Sequence, residues 1–218
     1  MRFLLFGTLC GLLTACQPEV RIACVGDSIT FGDGLQRRHH TCYPARLERL
    51  LGKGVEVGNF GANGTSLLRN SDWPYWNQPE LGAALRFQPH IVVIALGTNG
   101  SRTPNRVHLD HFVQDYLEMV DTFASLPTRP EIFLCKPPPA FSGKWGTSPD
   151  TLRQLILPLI DSVALLRGLP VIDFHTPLEG RVELFPDSIH PGLEGAAVLA
   201  QTVAQTLRAR SKRLPHEG

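Results

Sequence analysis

Apolar residues along this chain gather in five short runs, at 21–25, 55–60, 91–96, 132–135 and 171–174. Most are nearly continuous in apolar side chains, as strands buried on both faces should be. Between the runs the period changes. Residues 43–51 place Leu47, Leu50 and Leu51 at helical spacing, and residues 109–126 line up Phe112, Val113, Tyr116, Leu117, Val120 and Phe123 on one face. Two further helical patterns occupy 152–166 and 194–207. Strand alternating with helix five times predicts an α/β fold, a three-layer α/β/α sandwich around a five-stranded parallel sheet. The prolines 137–139 and the Gly/Ser/Pro-rich stretch 142–149 read as a loop inside this domain, not as a linker.

The pattern before residue 20 is of another kind. Arg2 is followed by an apolar run that reaches Leu13, too short to span a bilayer as a helix. One cation, a short apolar stretch and small residues predict an export signal over 1–15, with a single domain over 16–218. The segment Leu13-Thr14-Ala15-Cys16 resembles a bacterial lipobox. That resemblance implies cleavage before Cys16, a lipid on its thiol and a membrane anchor. Gln17, in place of an Asp, points to the outer membrane. An ordinary signal peptide with a chance cysteine is the alternative.

Composition narrows the function classes. The 218 residues suffice for one domain with a sizeable core. A formal net charge of +1 gives no reason to expect a nucleic-acid surface. Arg208, Arg210, Lys212 and Arg213 suit the last turn of a terminal helix and a solvated tail. Cys24, Cys42 and Cys135 form an odd set without metal-ligand spacing, so they read as buried free thiols. His39 and His40 beside Arg37 and Arg38 read as a solvated loop, and no metal or cofactor is called for.

In open parallel sheets ligands bind beyond the carboxyl ends of the strands. The ends of the five runs lead to Gly26-Asp27-Ser28, to 59–64, to Gly97-Thr98-Asn99-Gly100, to Lys136, and through a loop to Asp187-Ser188-Ile189-His190-Pro191. Acyl transfer needs a nucleophile, a base, a group that orients the base, and donors for an oxyanion. Ser28 follows a strand in a tight turn before a helix and supplies the hydroxyl. His190 supplies an imidazole that can take and return a proton, and Asp187, three residues earlier, can hold its far nitrogen. The N–H groups of Ser28 and Gly61 and the amide of Asn99 supply the oxyanion donors. Asp27 is assigned to holding the loop and Gly64 to a turn, while His175, after the fifth strand, either lines the cleft or, the preferred reading, supports the structure behind it.

These blocks, in this order and spacing, resemble the SGNH hydrolases, also called the GDSL family. The likeness implies a flavodoxin-like sheet and metal-free ester hydrolysis, with Ser28 as nucleophile, His190 as base, Asp187 as its partner, and Gly61 and Asn99 in the oxyanion hole. One departure stands out: the third block usually reads Gly-x-Asn-Asp, and Gly100 replaces its Asp. That change implies a lost hydrogen bond in the loop but intact chemistry.

Trp73 and Trp76 follow the second block and Trp145 follows the fourth strand. Their flat faces either stack on a sugar or pack beneath the loops. The stretch from Trp145 to Asp187 also resembles bacterial sialate and carbohydrate O-acetylesterases. The resulting expectation is an exported, lipid-anchored esterase acting on O-acetyl groups of a small-molecule or glycan ester. A lysophospholipase or thioesterase with the same triad, and a carbohydrate-binding lipoprotein without catalysis, are the rival readings.

Overall fold

The computed structural model describes residues 20–214, so the segment expected to be an export signal and Cys16 lie outside the described residues. Five strands form one sheet: β1 (Val20–Gly26), β2 (Val55–Gly61), β3 (Ile91–Ala95), β4 (Glu131–Lys136) and β5 (Val171–Asp173). All neighbouring pairs are parallel, in the order β2-β1-β3-β4-β5. This is the flavodoxin-like arrangement, whose chain reverses direction across the sheet at β1/β3.

Successive strand residues point to opposite faces, and the two apolar layers follow that alternation. Ala23, Val25, Val92, Ile94, Ile132 and Leu134 pack on one side with α4 (Pro79–Arg86), α5 (Phe112–Ala124) and α7 (Leu157–Arg167). Ile22, Cys24, Ile91, Val93, Phe133 and Cys135 face the other side, against α3 (Tyr43–Leu51) and α8 (Leu193–Arg210). The edge strand β2 is half-buried, so its run carries Glu56 and Asn59 among the apolar residues.

Several helices depart from the periodic pattern. Two four-residue helices, α1 (Ser28–Phe31) and α2 (Arg38–Thr41), are too short to show a period. The second holds His39 and His40, exposed, where a loop was expected. The helical segment before β5 runs in three pieces: α6 (Pro149–Thr151), a π-helical turn over Leu152–Ile156, then α7. The π turn delivers Ile156 against the loop after β3. A Cβ on Gly97 would stand 3.1 Å from Ile156, and one on Gly100 would stand 3.2 Å from it, with Leu109 and Phe112 close behind. An Asp at position 100 would therefore bury a carboxylate among apolar carbon, at a cost of several kcal/mol. Gly100 is the residue this packing admits.

Candidate active site

The register aligns three strand ends. Gly26 lies opposite Gly61 on one side and Ala95 on the other. The segments that continue from these residues therefore open at one level, at the β1/β3 switch point where such sheets place their ligands. They line a cleft of about 360 Å³ with Ser28, Asn63, Gly64, Asn99, Trp145 and His190 among its walls.

Ser28 is the first residue of α1. Asp27 caps that helix, its Oδ1 accepting the Ile29 N–H at 2.9 Å. Gly32 ends it in the left-handed conformation at φ +87°. The Ser28 carbonyl accepts the N–H groups of both Gly32 and Asp33, at 2.9 and 3.0 Å. The second oxygen of Asp27 is buried without a hydrogen-bond partner, as is the Thr98 hydroxyl. Burial pushes the Asp27 carboxyl up to about 6, partly offset by the Ile29 N–H and the nearby His190.

His190 arrives from the far end of the chain. Asp187 Oδ1 accepts the N–H groups of Ile189 and His190, at 2.9 and 2.7 Å. Its Oδ2 lies 2.7 Å from His190 Nδ1. A carboxylate held this way only accepts, so Nδ1 carries the hydrogen and Nε2 offers its lone pair. Nε2 lies 2.9 Å from Ser28 Oγ. Burial raises the Asp187 carboxyl, but the donors from His190 and Ile189 outweigh it and hold the group below its ordinary value. Ser188 turns the chain at φ +71°, and its carbonyl is fixed by the Phe141 N–H at 2.8 Å.

Asn99 sits in the 3₁₀ turn after β3, with Nδ2 donating one hydrogen to the Thr65 carbonyl at 2.9 Å. That bond leaves its second amide hydrogen for the cleft. Asn105, fully buried, holds the segment: its Nδ2 reaches the Asn99 carbonyl at 2.8 Å and Asp72 Oδ1 at 2.9 Å. Its Oδ1 accepts the Asp72 N–H. These bonds tie the loop that carries Gly100, which has no side chain of its own to do so.

Gly61 is not where an oxyanion donor should be. It is the last residue of β2, and its N–H donates to Asn59 Oδ1 at 2.9 Å. A Cβ there would collide with the backbone of Thr30 and Phe31, so this glycine lets β2 close against α1. Gly64, expected to be a turn glycine alone, lines the cleft instead, at φ +76°, and its N–H has no acceptor among the described residues. The apolar run ends at Phe60, and it is pairing with Gly26 that adds Gly61 to the strand. A donor for the cleft must lie beyond the strand end, and Gly61 belongs to the strand.

The tryptophans divide. Trp145 lines the cleft, its ring 5.3 Å from the His190 ring. Trp76 packs beneath its loop, with Nε1 donating to the Leu67 carbonyl at 2.7 Å and the Arg69 guanidinium over its ring. Trp73 is exposed and lies outside the cleft walls. His175 is buried outside the cleft walls, with Nδ1 3.3 Å from the Pro137 carbonyl. Cys24, Cys42 and Cys135 are buried free thiols, and burial drives the first and last far up. Asp33, Asn63, Arg102 and Thr147 join the walls without having been singled out in the sequence. They lie in loops whose composition carries no periodic signal.

Comparison with known proteins places this geometry. The GDSL-like Lipase/Acylhydrolase family model matches residues 24–198. An acetylxylan esterase from Xylanibacter ruminicola is 35% identical over 210 residues, covering 88% of this chain. The chain spans 44% of that protein's length, less than half. A lipase/acylhydrolase from Enterococcus faecalis superposes with a TM-score of 0.70 at 21% identity, covering 91% of this chain and 99% of that one. A carbohydrate acetylesterase from Sinorhizobium meliloti superposes with a TM-score of 0.70 at 17% identity, covering 87% and 99%. At such identities these two likenesses speak for the fold.

Proposed function

The chain belongs to the GDSL-like lipase/acylhydrolase family, and from that premise we propose that it is a serine esterase removing O-acetyl groups from carbohydrates. One observation carries the reading: the unbroken relay from Asp187 Oδ2 through His190 to Ser28 Oγ, at 2.7 and 2.9 Å. Ser28 Oγ attacks the ester carbonyl while its proton passes to His190 Nε2. Negative charge moves to the carbonyl oxygen, which the N–H groups of Ser28 and Gly64 and the Asn99 amide receive. Asp187 steadies the imidazolium without taking the proton. The C–O bond to the sugar then breaks and His190 returns the proton to the departing hydroxyl. Water, deprotonated by the same imidazole, attacks the acetyl-serine and releases acetate.

The acetyl preference rests on the small size of the cleft and on the likeness to an acetylxylan esterase. A lysophospholipase or thioesterase would want a long apolar groove, and polar Asp33, Asn63, Arg102 and Thr147 stand among the walls of this cleft. Acetate release from acetylated xylo-oligosaccharides should be robust, and 4-nitrophenyl acetate should be cleaved faster than the octanoate. Faster octanoate cleavage would remove the acetyl assignment. Ser28→Ala should lower kcat by roughly 10⁴-fold or more, and an unchanged rate would remove the nucleophile. The segment ending at Cys16 supports a lipid anchor as a further part of this proposal. Labelling with radioactive palmitate, present in the whole protein and lost in Cys16→Ser, is the expected outcome.

A further inference from the structure

Most charged groups at the rim of the cleft have partners. Arg102 Nη1 pairs with Asp72 Oδ2 at 3.0 Å, and its Nε donates to the Trp145 carbonyl at 3.2 Å. Lys144 Nζ lies over the Trp145 ring, 4.5 Å from its centroid. Asp33 differs. Its carboxylate lines the cleft, its side chain is 39% exposed, and it receives no hydrogen bond and no Lys or Arg cation from any described residue. The ionisable side chain it approaches among the described residues is His190, with Oδ2 3.9 Å from Nε2, the same nitrogen that touches Ser28. Its position is fixed: Asp33 N–H donates to the Ser28 carbonyl, between two glycines in the left-handed conformation.

We propose that Asp33 is a specificity-determining residue that accepts a hydrogen bond from a substrate hydroxyl beside the scissile ester, so that the enzyme selects partly acetylated neutral sugars over deoxy and acidic ones. The proposal rests on the esterase reading above. The leaving oxygen must come within hydrogen-bond reach of His190 Nε2 to be protonated. A hydroxyl on the adjacent carbon then falls within reach of a carboxylate 3.9 Å from that nitrogen. A charged acceptor is worth about tenfold to a hundredfold to a hydroxyl that finds it. The same charge repels a sugar carboxylate beside the scissile ester, and Arg102, the cation among the cleft walls, is already taken by Asp72. A uronate or sialate ester is therefore disfavoured.

The test compares kcat/KM for three methyl glycosides: a 2-O-acetyl xyloside, its 3-deoxy counterpart, and a 2-O-acetyl glucuronoside. Wild type should prefer the first over the second by about tenfold or more. In Asp33→Ala that preference should fall to within about twofold of parity. Asp33→Asn, which keeps shape and an acceptor oxygen, should retain part of it while raising the relative rate on the glucuronoside about tenfold. Two results would overturn the proposal. One is a hydroxyl preference that survives Asp33→Ala, and the other is an equal loss on all three substrates, which would make Asp33 a support for His190 instead. Should wild type release acetate from none of the three, the esterase reading falls and this one with it. Hydrolysis whose ratios ignore Asp33 removes this one alone.

Discussion

The turn Asp187–His190 and the loop 143–147 meet at one imidazole ring, but they are built differently. In the turn, both carboxylate oxygens of Asp187 are engaged, by two backbone N–H groups and by His190 Nδ1. The ring itself is nearly covered, its side chain 10% exposed. In the loop, Trp145 is half exposed and adopts φ +53°, a left-handed conformation unusual for a bulky side chain. The loop is joined to the body through the Thr103 N–H on the Gly146 carbonyl and Arg102 on the Trp145 carbonyl. The imidazole proposed to move a proton is over-determined by short bonds, while the surface that would meet a sugar sits on a strained loop. Backbone strain of this kind recurs where ligands are held.

Cutting the turn should have the largest effect. Asp187→Asn removes the acceptor that fixes the imidazole tautomer, and kcat should fall by about 10⁴-fold. Kinetics on 4-nitrophenyl acetate read this directly. A loss below tenfold would show that the turn does not orient the base, and the contrast between the two regions would fail.

The next effect separates packing from chemistry among glycines. Gly61→Ala forces a methyl group into the Thr30–Phe31 backbone, to within 2.7 Å of Phe31 Cα, and should destabilise the fold by about 2–3 kcal/mol. Gly64→Ala meets nothing within 4 Å and bears just the left-handed strain of φ +76°, so about 1 kcal/mol is expected. Urea denaturation of both variants checks the order. Equal losses would return Gly61 to the open cleft.

This pair also marks where reading the chain stopped. Five apolar runs located five strands, because a central parallel strand is apolar at nearly every position. The segments 43–51 and 194–207 showed helices because each has one face against the sheet. Pro79–Arg86 escaped, with just Leu81 and Ala84 buried in eight residues. Ser28, His190 and Asp187 were legible because their types and spacing constrain one another. Gly61 and Gly64 could not be ranked from composition, since a strand's last residue is defined by its neighbours. Gly100 made sense once Ile156 was seen filling its place. The three tryptophans looked alike, and the partners that separate them are tertiary: Leu67 for Trp76, His190 for Trp145, solvent for Trp73.

Two aspartates near His190 are shifted in opposite senses and sharpen the contrast. Asp187 is held below its ordinary value, so its stabilisation is present above about pH 4 and is lost as acid protonates it. Asp27 is raised from 3.8 to about 6. Its contribution is present below 3.8 and is lost as pH rises through about 6. Asp27→Asn keeps an acceptor for the Ile29 N–H and offers an amide hydrogen toward Thr98. It should gain about 1–3 kcal/mol at pH 8 and much less at pH 4. Denaturation at both values checks it, and a gain independent of pH would mean that ionisation of Asp27 is not what the fold resists.

The smallest effect tests the rim. Glycine accepts φ +53° without the penalty a side chain incurs, so Trp145→Gly should relieve about 1 kcal/mol of strain. That relief offsets part of the packing lost from the face of His190. Net stability should therefore change by less than about 1 kcal/mol. Substrate recognition should not be spared, because the ring is the flat surface of the cleft and stacking contacts of this kind contribute about 0.5–1.5 kcal/mol. An acetylated xylo-oligosaccharide should lose about tenfold in kcat/KM, mostly through KM, because a stacking contact formed in the ground state persists in the transition state. If the loss fell on kcat instead, Trp145 would belong with Asp187 as a support for the imidazole, and the division between turn and loop would move to the outer edge of the ring.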